Sequence, residues 1–138
     1  MRQKELHSGV ARIFVVDDEP LLLDLIATAL RLDGHQVTVM TDPANAVETM
    51  LLAPDSVDLL LTDADMRPLS GFQLVTQLRK GKAQFPVVFM SGHHGIGTLI
   101  ADSLGQRAVL EKPFTAEILR NVVKRALSES KRTAQRVR

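Results

Sequence analysis

The chain lacks cysteine, so it can form neither a disulfide framework nor a thiolate metal site. Tryptophan and tyrosine are also absent. The sequence has no run of about 18 apolar residues, so we expect no transmembrane helix. The polar opening segment, MRQKELHSGVAR, lacks the apolar stretch of a signal peptide. These absences argue against a secreted, disulfide-stabilised domain and predict a cytoplasmic protein.

Length and charge point to one globular domain with an uneven charge distribution. The chain has 138 residues, 45% of them hydrophobic, and a net charge of +1. Between residues 120 and 138, seven basic residues face one acidic residue, which gives +6 there and leaves −5 for the rest. A basic end can contact nucleic acid. We favour a solvated helix end and do not expect nucleic-acid binding by this chain alone.

Short apolar runs alternate with amphipathic stretches five times along the chain. The runs predict buried strands at 12–16, 36–41, 57–61, 86–90 and 108–110. This alternation predicts an α/β domain with a single, doubly wound, five-stranded parallel sheet and five helices. Right-handed crossovers favour the flavodoxin-like strand order 2-1-3-4-5. We place the domain at residues 10–128, between an N-terminal tail at 1–9 and a basic C-terminal tail at 129–138.

Apolar residues at helical spacing predict which helix faces are buried. For three helices the predicted positions are Ala44, Val47 and Leu51, then Ile96, Leu99, Ile100 and Leu104, and finally Ile118, Leu119, Val122, Val123, Ala126 and Leu127.

Polar side chains follow four of the five predicted strands, where ligands bind in open parallel sheets. They are Asp17 and Asp18, Asp63 and Asp65, Ser91, and Lys112. Converging carboxylates repel one another, and a cation relieves that repulsion. Oxygen ligands without histidine or cysteine favour Mg²⁺. The sequence therefore predicts a magnesium site at this edge of the sheet.

A cation, a lysine and a hydroxyl together suit a phosphoryl group, because they neutralise or hydrogen-bond its oxygens. A carboxylate beside them can act as the nucleophile and form an aspartyl phosphate. Each residue alone has an ordinary explanation as a turn residue or a solvated charge. Their placement at four strand ends of one edge favours the shared chemical role.

The motifs that carry these residues resemble the receiver domain of two-component response regulators over about residues 10–128. They are IFVVDDEP, LLLTDADMRPLSG, VVFMSG and LEKPF, in the family order and at near-family spacing. The resemblance implies a Mg²⁺-dependent signalling switch in which Asp63 accepts a phosphoryl group. Such a switch is not an enzyme in the usual sense, since it catalyses only its own phosphorylation and dephosphorylation.

The resemblance also implies a role for each neighbouring residue. Asp18 would bind Mg²⁺ directly, Asp17 through water, and Asp65 through its backbone carbonyl. Ser91 and Lys112 would contact the phosphoryl oxygens, and the Lys–Pro bond that follows would be cis. The donor would be the phosphohistidine of a sensor histidine kinase or a histidine phosphotransfer protein.

Several positions depart from the family pattern. Arg67 stands where the family usually has proline, and Pro68 comes one residue later. Val109 stands where an aromatic residue usually acts as a switch. We therefore expect the switch to use the segment at Gly92 and the fourth helix. His93 lies at a position that tunes phosphate lifetime in the family.

The output of the switch leaves alternatives open. About ten residues follow Ser128, too few for a helix-turn-helix module, so we expect a stand-alone protein with an unidentified output partner, and homodimerisation is open. The alternative is the receiver half of a larger, for example DNA-binding, regulator that continues past Arg138. A remote alternative is a haloacid-dehalogenase-type phosphohydrolase. Its DxD motif is matched by residues 63–65, but its downstream acidic pair and cap are missing.

Overall fold

The computed structural model describes residues 10–92, 94–105 and 108–137, in which strands and helices alternate. The strands are β1 (Arg12–Val16), β2 (Gln36–Met40), β3 (Leu59–Asp63), β4 (Val87–Ser91) and β5 (Val109–Glu111). The helices are α1 (Pro20–Leu32), α2 (Pro43–Leu52), α3 (Gly71–Lys80), α4 (His94–Leu104) and α5 (Ala116–Val137), with a 3₁₀ turn at Pro54–Ser56.

All strand pairs are parallel, and the sheet order is β2-β1-β3-β4-β5. The predicted fold and strand order are confirmed. β1 lies between β2 and β3, with Ile13 opposite both Val37 and Leu59. At the other end of the ladder, Ser91 of β4 pairs with Glu111 of β5. Because the strands run the same way, their carboxyl ends share one edge of the sheet.

The last three strands begin and end later than predicted, with β3 shifted by two residues. Just before β3, the Asp58 carboxylate accepts hydrogen bonds from the backbone and guanidinium of Arg12 at 2.8 and 3.0 Å. The backbone N–H of Asp58 also donates to the Arg12 carbonyl at 2.9 Å. Asp63 and Ser91 are the last residues of β3 and β4, so the ladder fixes their backbones.

Alternating strand residues supply a core on each face of the sheet. Ile13 and Val15 face α1 and α5, whereas Phe14 and Val16 face α2 and α3. α4 packs through the buried Ile100 against a smaller cluster that includes Phe89. These helices hold the sheet between two layers, and its carboxyl edge carries the polar residues.

All three of the predicted helix faces need correction. In α2, Ala44 is exposed, and Ala46 and Met50 are buried instead. In α4, Leu99 and Leu104 are 65% and 58% exposed. In α5, Leu119 and Val123 are buried as predicted, but Ile118 is 49% exposed. Helical spacing gives the period of a stripe, but packing of the neighbouring strand ends decides which side of the helix is covered.

Helix α5 continues past residue 128, the predicted end of the domain. It runs to Val137, so the segment from residue 129 is helical almost to its end and does not form an irregular tail. The boundary at residue 128 remains a prediction, and the predicted tail at 1–9 lies outside the described residues. No helix in the described part of the chain combines the length and apolar character needed to cross a membrane.

Candidate functional site

Three carboxylates meet at the carboxyl edge of the sheet. Oxygen atoms of Asp17, Asp18 and Asp63 all lie within 4.8 Å of one another. Asp17 follows β1 and is fully buried, Asp63 ends β3 and is 6% exposed, and Asp18 is exposed. The backbone N–H of Glu19 donates to Asp17 Oδ1 at 2.9 Å, and that of Asp65 donates to Asp63 Oδ1 at 3.3 Å. The two buried carboxylates are thus oriented by the loops that follow their strands.

The ammonium group of Lys112 faces this acidic cluster. Lys112 Nζ lies 2.8 Å from Asp17 Oδ2, 3.5 Å from Asp63 Oδ1 and 3.5 Å from Glu19 Oε1. Its backbone N–H donates to the carbonyl of Ser91 at 2.8 Å, which fastens the end of β5 to the end of β4. The bond from Lys112 to Pro113 is cis, as expected. The predicted lysine therefore reaches the predicted carboxylates across 95 residues of sequence.

Burial and like charge disfavour ionisation of the carboxylates. Burial, reinforced by the charge of Asp17, raises the pKa of Asp63 from 3.8 to about 6. Burial also raises the pKa of Asp17, although its hydrogen bond to Lys112 opposes the shift. For Lys112, burial lowers the pKa, but the hydrogen bond to Asp17 and the surrounding carboxylates outweigh it, and the pKa is raised. The lysine stays charged and offsets only part of the carboxylate repulsion.

The donor set of the cluster fits a hard divalent cation. Its members offer carboxylate oxygens, without a histidine or cysteine. Two of the three are held in place by strand ends and backbone hydrogen bonds. Mg²⁺ binds through a few carboxylates and keeps several waters, and the exposed Asp18 leaves room for such waters. The cluster could therefore hold Mg²⁺.

The remaining predicted residues lie around this centre. Ser91 is buried at the end of β4. Asp65 and Gly92 are exposed, and a Cβ at Gly92 would meet nothing within 4 Å. Val109 is half-buried and packs against the cluster that contains Phe89 and Ile100. His93 lies outside the described residues.

The loop after β3 contains the sequence departure at Arg67 and Pro68. Its Arg67–Pro68 bond is cis, in addition to the expected cis bond after Lys112. This is where the sequence has proline one residue later than the family usually does.

Sequence reasoning assigned no role to two residues that shape the site. At Gly71, a Cβ would lie 2.3 Å from the Asp63 carbonyl oxygen, so α3 can begin against the end of β3 only with glycine. The motif had shown this glycine eight residues after Asp63, but without its cause. Glu19, the third acid after β1, contacts Lys112. Its position next to Asp17 and Asp18 indicated that Glu19 lies near the site, but not that it contacts Lys112.

A doubly wound parallel sheet with polar residues at its carboxyl edge defines the class of α/β domains that bind ligands at that edge. The family described as response regulator receiver domain matches residues 13–124. The chain therefore belongs to the response regulator receiver domain family. It is a receiver module of two-component signalling, a switch and not an enzyme in the usual sense. This replaces the haloacid-dehalogenase alternative.

Relatives and solved structures agree with this family. The chain is 30% identical over 121 residues to transcriptional regulatory protein GlrR of Escherichia coli (strain K12), covering 87% of this chain and 27% of GlrR. It is 32% identical over 123 residues to DNA-binding transcriptional regulator NtrC of Rhizobium meliloti (strain 1021), covering 88% and 25%. The chain thus spans about a quarter of these curated relatives.

Two solved structures illustrate the likeness of the fold. A response regulator receiver domain protein from Clostridium thermocellum superimposes with a TM-score of 0.77 at 28% identity, covering 88% of this chain and 97% of that one. NtrX from Brucella abortus gives a TM-score of 0.80 at 33% identity, covering 91% and 29%.

Proposed function

We propose that this receiver domain takes a phosphoryl group onto Asp63 from the phosphohistidine of a sensor histidine kinase or a histidine phosphotransfer protein, with Mg²⁺ as cofactor. The observation that carries the proposal is the placement of one carboxylate. Asp63 is buried, shares an oxygen cluster with Asp17 and Asp18, and lies 3.5 Å from the Lys112 ammonium.

The transfer makes one bond and breaks one. An oxygen of Asp63 forms the new O–P bond while the P–N bond of the donor breaks. The electron pair of that bond goes to the imidazole nitrogen, and the ring leaves neutral because its other nitrogen carries a proton. Lys112 and the Ser91 hydroxyl bind the phosphoryl oxygens. Bound Mg²⁺ supplies charge neutralisation for the carboxylates and the phosphoryl group.

The proposed metal ligands are Asp18, Asp63, Asp17 through water, and the backbone carbonyl of Asp65. The 4.8 Å cluster supports the three carboxylates. Hydrolysis resets the switch, because a water oxygen attacks phosphorus, the O–P bond breaks, and the Asp63 carboxylate and inorganic phosphate are released. The domain therefore catalyses reactions on itself alone.

We propose that phosphorylation is read out at Gly92 and α4 and not by rotation of an aromatic ring on β5. Val109 is half-buried, and a β-branched side chain of this size is stiff and fills little space. An ordering of loop and helix is an established mode of switching. An output partner, or a second copy of the chain, would bind the altered surface.

The length of the relatives favours a second candidate, in which this receiver domain is one part of a longer protein. GlrR and NtrC are named transcriptional regulators, and the chain spans 27% and 25% of them. In that case the module would be the receiver half of a regulator that continues past Arg138. The intact mass of the natively expressed protein distinguishes this from the stand-alone receiver.

The test is phosphorylation by a small donor. The wild-type protein, Asp63→Asn and a control with an exposed acid removed, Asp24→Asn, are incubated with acetyl phosphate, with Mg²⁺ or with EDTA. The wild type and the control should gain one phosphoryl group by intact mass only with Mg²⁺. Equal modification of Asp63→Asn, or modification that does not depend on Mg²⁺, would contradict the proposal.

A further inference from the structure

The ammonium group of Lys112 has three N–H donors, and three carboxylates surround it. Asp17 Oδ2 lies at 2.8 Å, and Glu19 Oε1 and Asp63 Oδ1 lie at 3.5 Å. A phosphoryl group on Asp63 would bring new anionic oxygens that need at least one of these donors. Hydrogen bonds to Asp17 and Glu19 already use two of the donors, so the phosphoryl group would compete with the present partners for the ammonium.

The exposure of the three carboxylates indicates which one yields the ammonium most easily. The Asp17 side chain is fully buried, so loss of its partner would leave a buried anion unpaired, which is costly. Asp63 carries the phosphoryl group itself. The Glu19 side chain is 65% exposed, so water can replace the lysine at little cost. Glu19 is the exchangeable partner.

The position of Glu19 in the chain supports this assignment. It is the N-cap residue of α1, yet its side chain makes no capping hydrogen bond to the helix. Its backbone N–H is held by Asp17 at 2.9 Å, so the residue is anchored beside the site while its side chain reaches Lys112. A glutamate is poorly suited to cap a helix, but it has the length needed for this contact.

Building on the proposed function, we propose that Glu19 is a positioning residue that holds Lys112 in the resting state and competes with the phosphoryl group for it. Loss of the contact should favour the phosphorylated form. Exposed ion pairs of this kind are worth little, so we expect the affinity for a phosphoryl mimic to rise roughly two- to fivefold.

The test compares beryllofluoride affinity at fixed Mg²⁺, followed by NMR, among the wild type, Glu19→Gln, Glu19→Asp and the control Glu48→Gln, which removes an exposed acid on α2. Glu19→Asp keeps the charge but is shorter by about 1.5 Å, one C–C bond, and aspartate prefers to cap the helix. Both Glu19 variants should bind beryllofluoride more tightly than the wild type, and the control should not.

The outcomes separate the competing explanations. If only Glu19→Gln gains affinity, a general charge effect explains the result and the proposal for Glu19 fails. Equal affinities throughout would also overturn it. A wild type that does not bind beryllofluoride would instead overturn the proposed function.

A second readout uses the metal-free protein. The Lys112 ammonium protons should exchange with water faster in both Glu19 variants than in the wild type. An unchanged exchange rate would refute the resting contact.

Discussion

Replacing Asp63 with asparagine should stabilise the metal-free protein at neutral pH, although it destroys the proposed phosphorylation site. Burial and the charge of Asp17 raise the pKa of Asp63 to about 6. The folded state therefore binds this proton more tightly than the unfolded chain does. The resulting stability is fully present below pH 3.8 and is lost as the pH rises through about 6. Asparagine stays neutral and avoids this loss.

The pKa difference sets the size of the effect. The interval from 3.8 to about 6 corresponds to about 3 kcal/mol at about 1.36 kcal/mol per pH unit. The attraction of Lys112 at 3.5 Å opposes the rise and is already contained in this pKa, so we expect a gain of up to about 3 kcal/mol at neutral pH. Near pH 5, where wild-type Asp63 is mostly protonated when folded, the gain should fall to about half.

Urea unfolding followed by far-ultraviolet circular dichroism measures this difference without a tryptophan probe. The wild type, Asp63→Asn and the exposed-acid control Asp24→Asn are compared in EDTA between about pH 5 and neutral pH. The same series in millimolar Mg²⁺ should reduce or reverse the advantage of the Asp63 variant, because the cation stabilises the folded wild type by mass action.

The reasoning would be refuted by a variant that is no more stable than the wild type in EDTA at neutral pH. A gain that stays constant down to about pH 5 would refute it as well, since a difference caused by ionisation of Asp63 must shrink as that carboxylate is protonated. A gain of the same size in Asp24→Asn would assign the effect to overall charge.

Three further predictions concern the surroundings of the site. Lys112→Ala should leave the Mg²⁺ affinity unchanged or raise it, because a nearby positive charge is gone. The same variant should show weaker NMR changes on adding beryllofluoride. A large fall in Mg²⁺ affinity would contradict this prediction. Gly71→Ala should lower the free energy of unfolding, measured with urea, by about 1–3 kcal/mol. Gly92 has open space around it, so Gly92→Ala should change this free energy by less than about 0.5 kcal/mol. Equal losses in the two variants would show that the close backbone approach at Gly71 is unimportant. Beryllofluoride should shift the backbone amides of α4 more than those of 108–111, and the reverse pattern would restore β5 as the switch.

Local patterns in the sequence were sufficient for much of the fold. Strands and helices alternate because apolar runs and helical stripes do, and right-handed crossovers then leave few strand orders. Since parallel strands end at one edge, residue types at four strand ends predicted which side chains would meet. Asp17, Asp63 and Lys112 do so, within hydrogen-bonding or ion-pair distance.

Tertiary packing decided what local patterns do not encode. The ion pair beside the start of β3 joins Arg12 and Asp58, which are 46 residues apart. Glu19 and Lys112 are 93 residues apart in the sequence. The two acids beside Glu19 gave no indication that Lys112 would be its partner. The need for glycine at position 71 arises from the closeness of another backbone. Each feature depends on distances between chain segments, and these exist only once the sheet and helices have packed together.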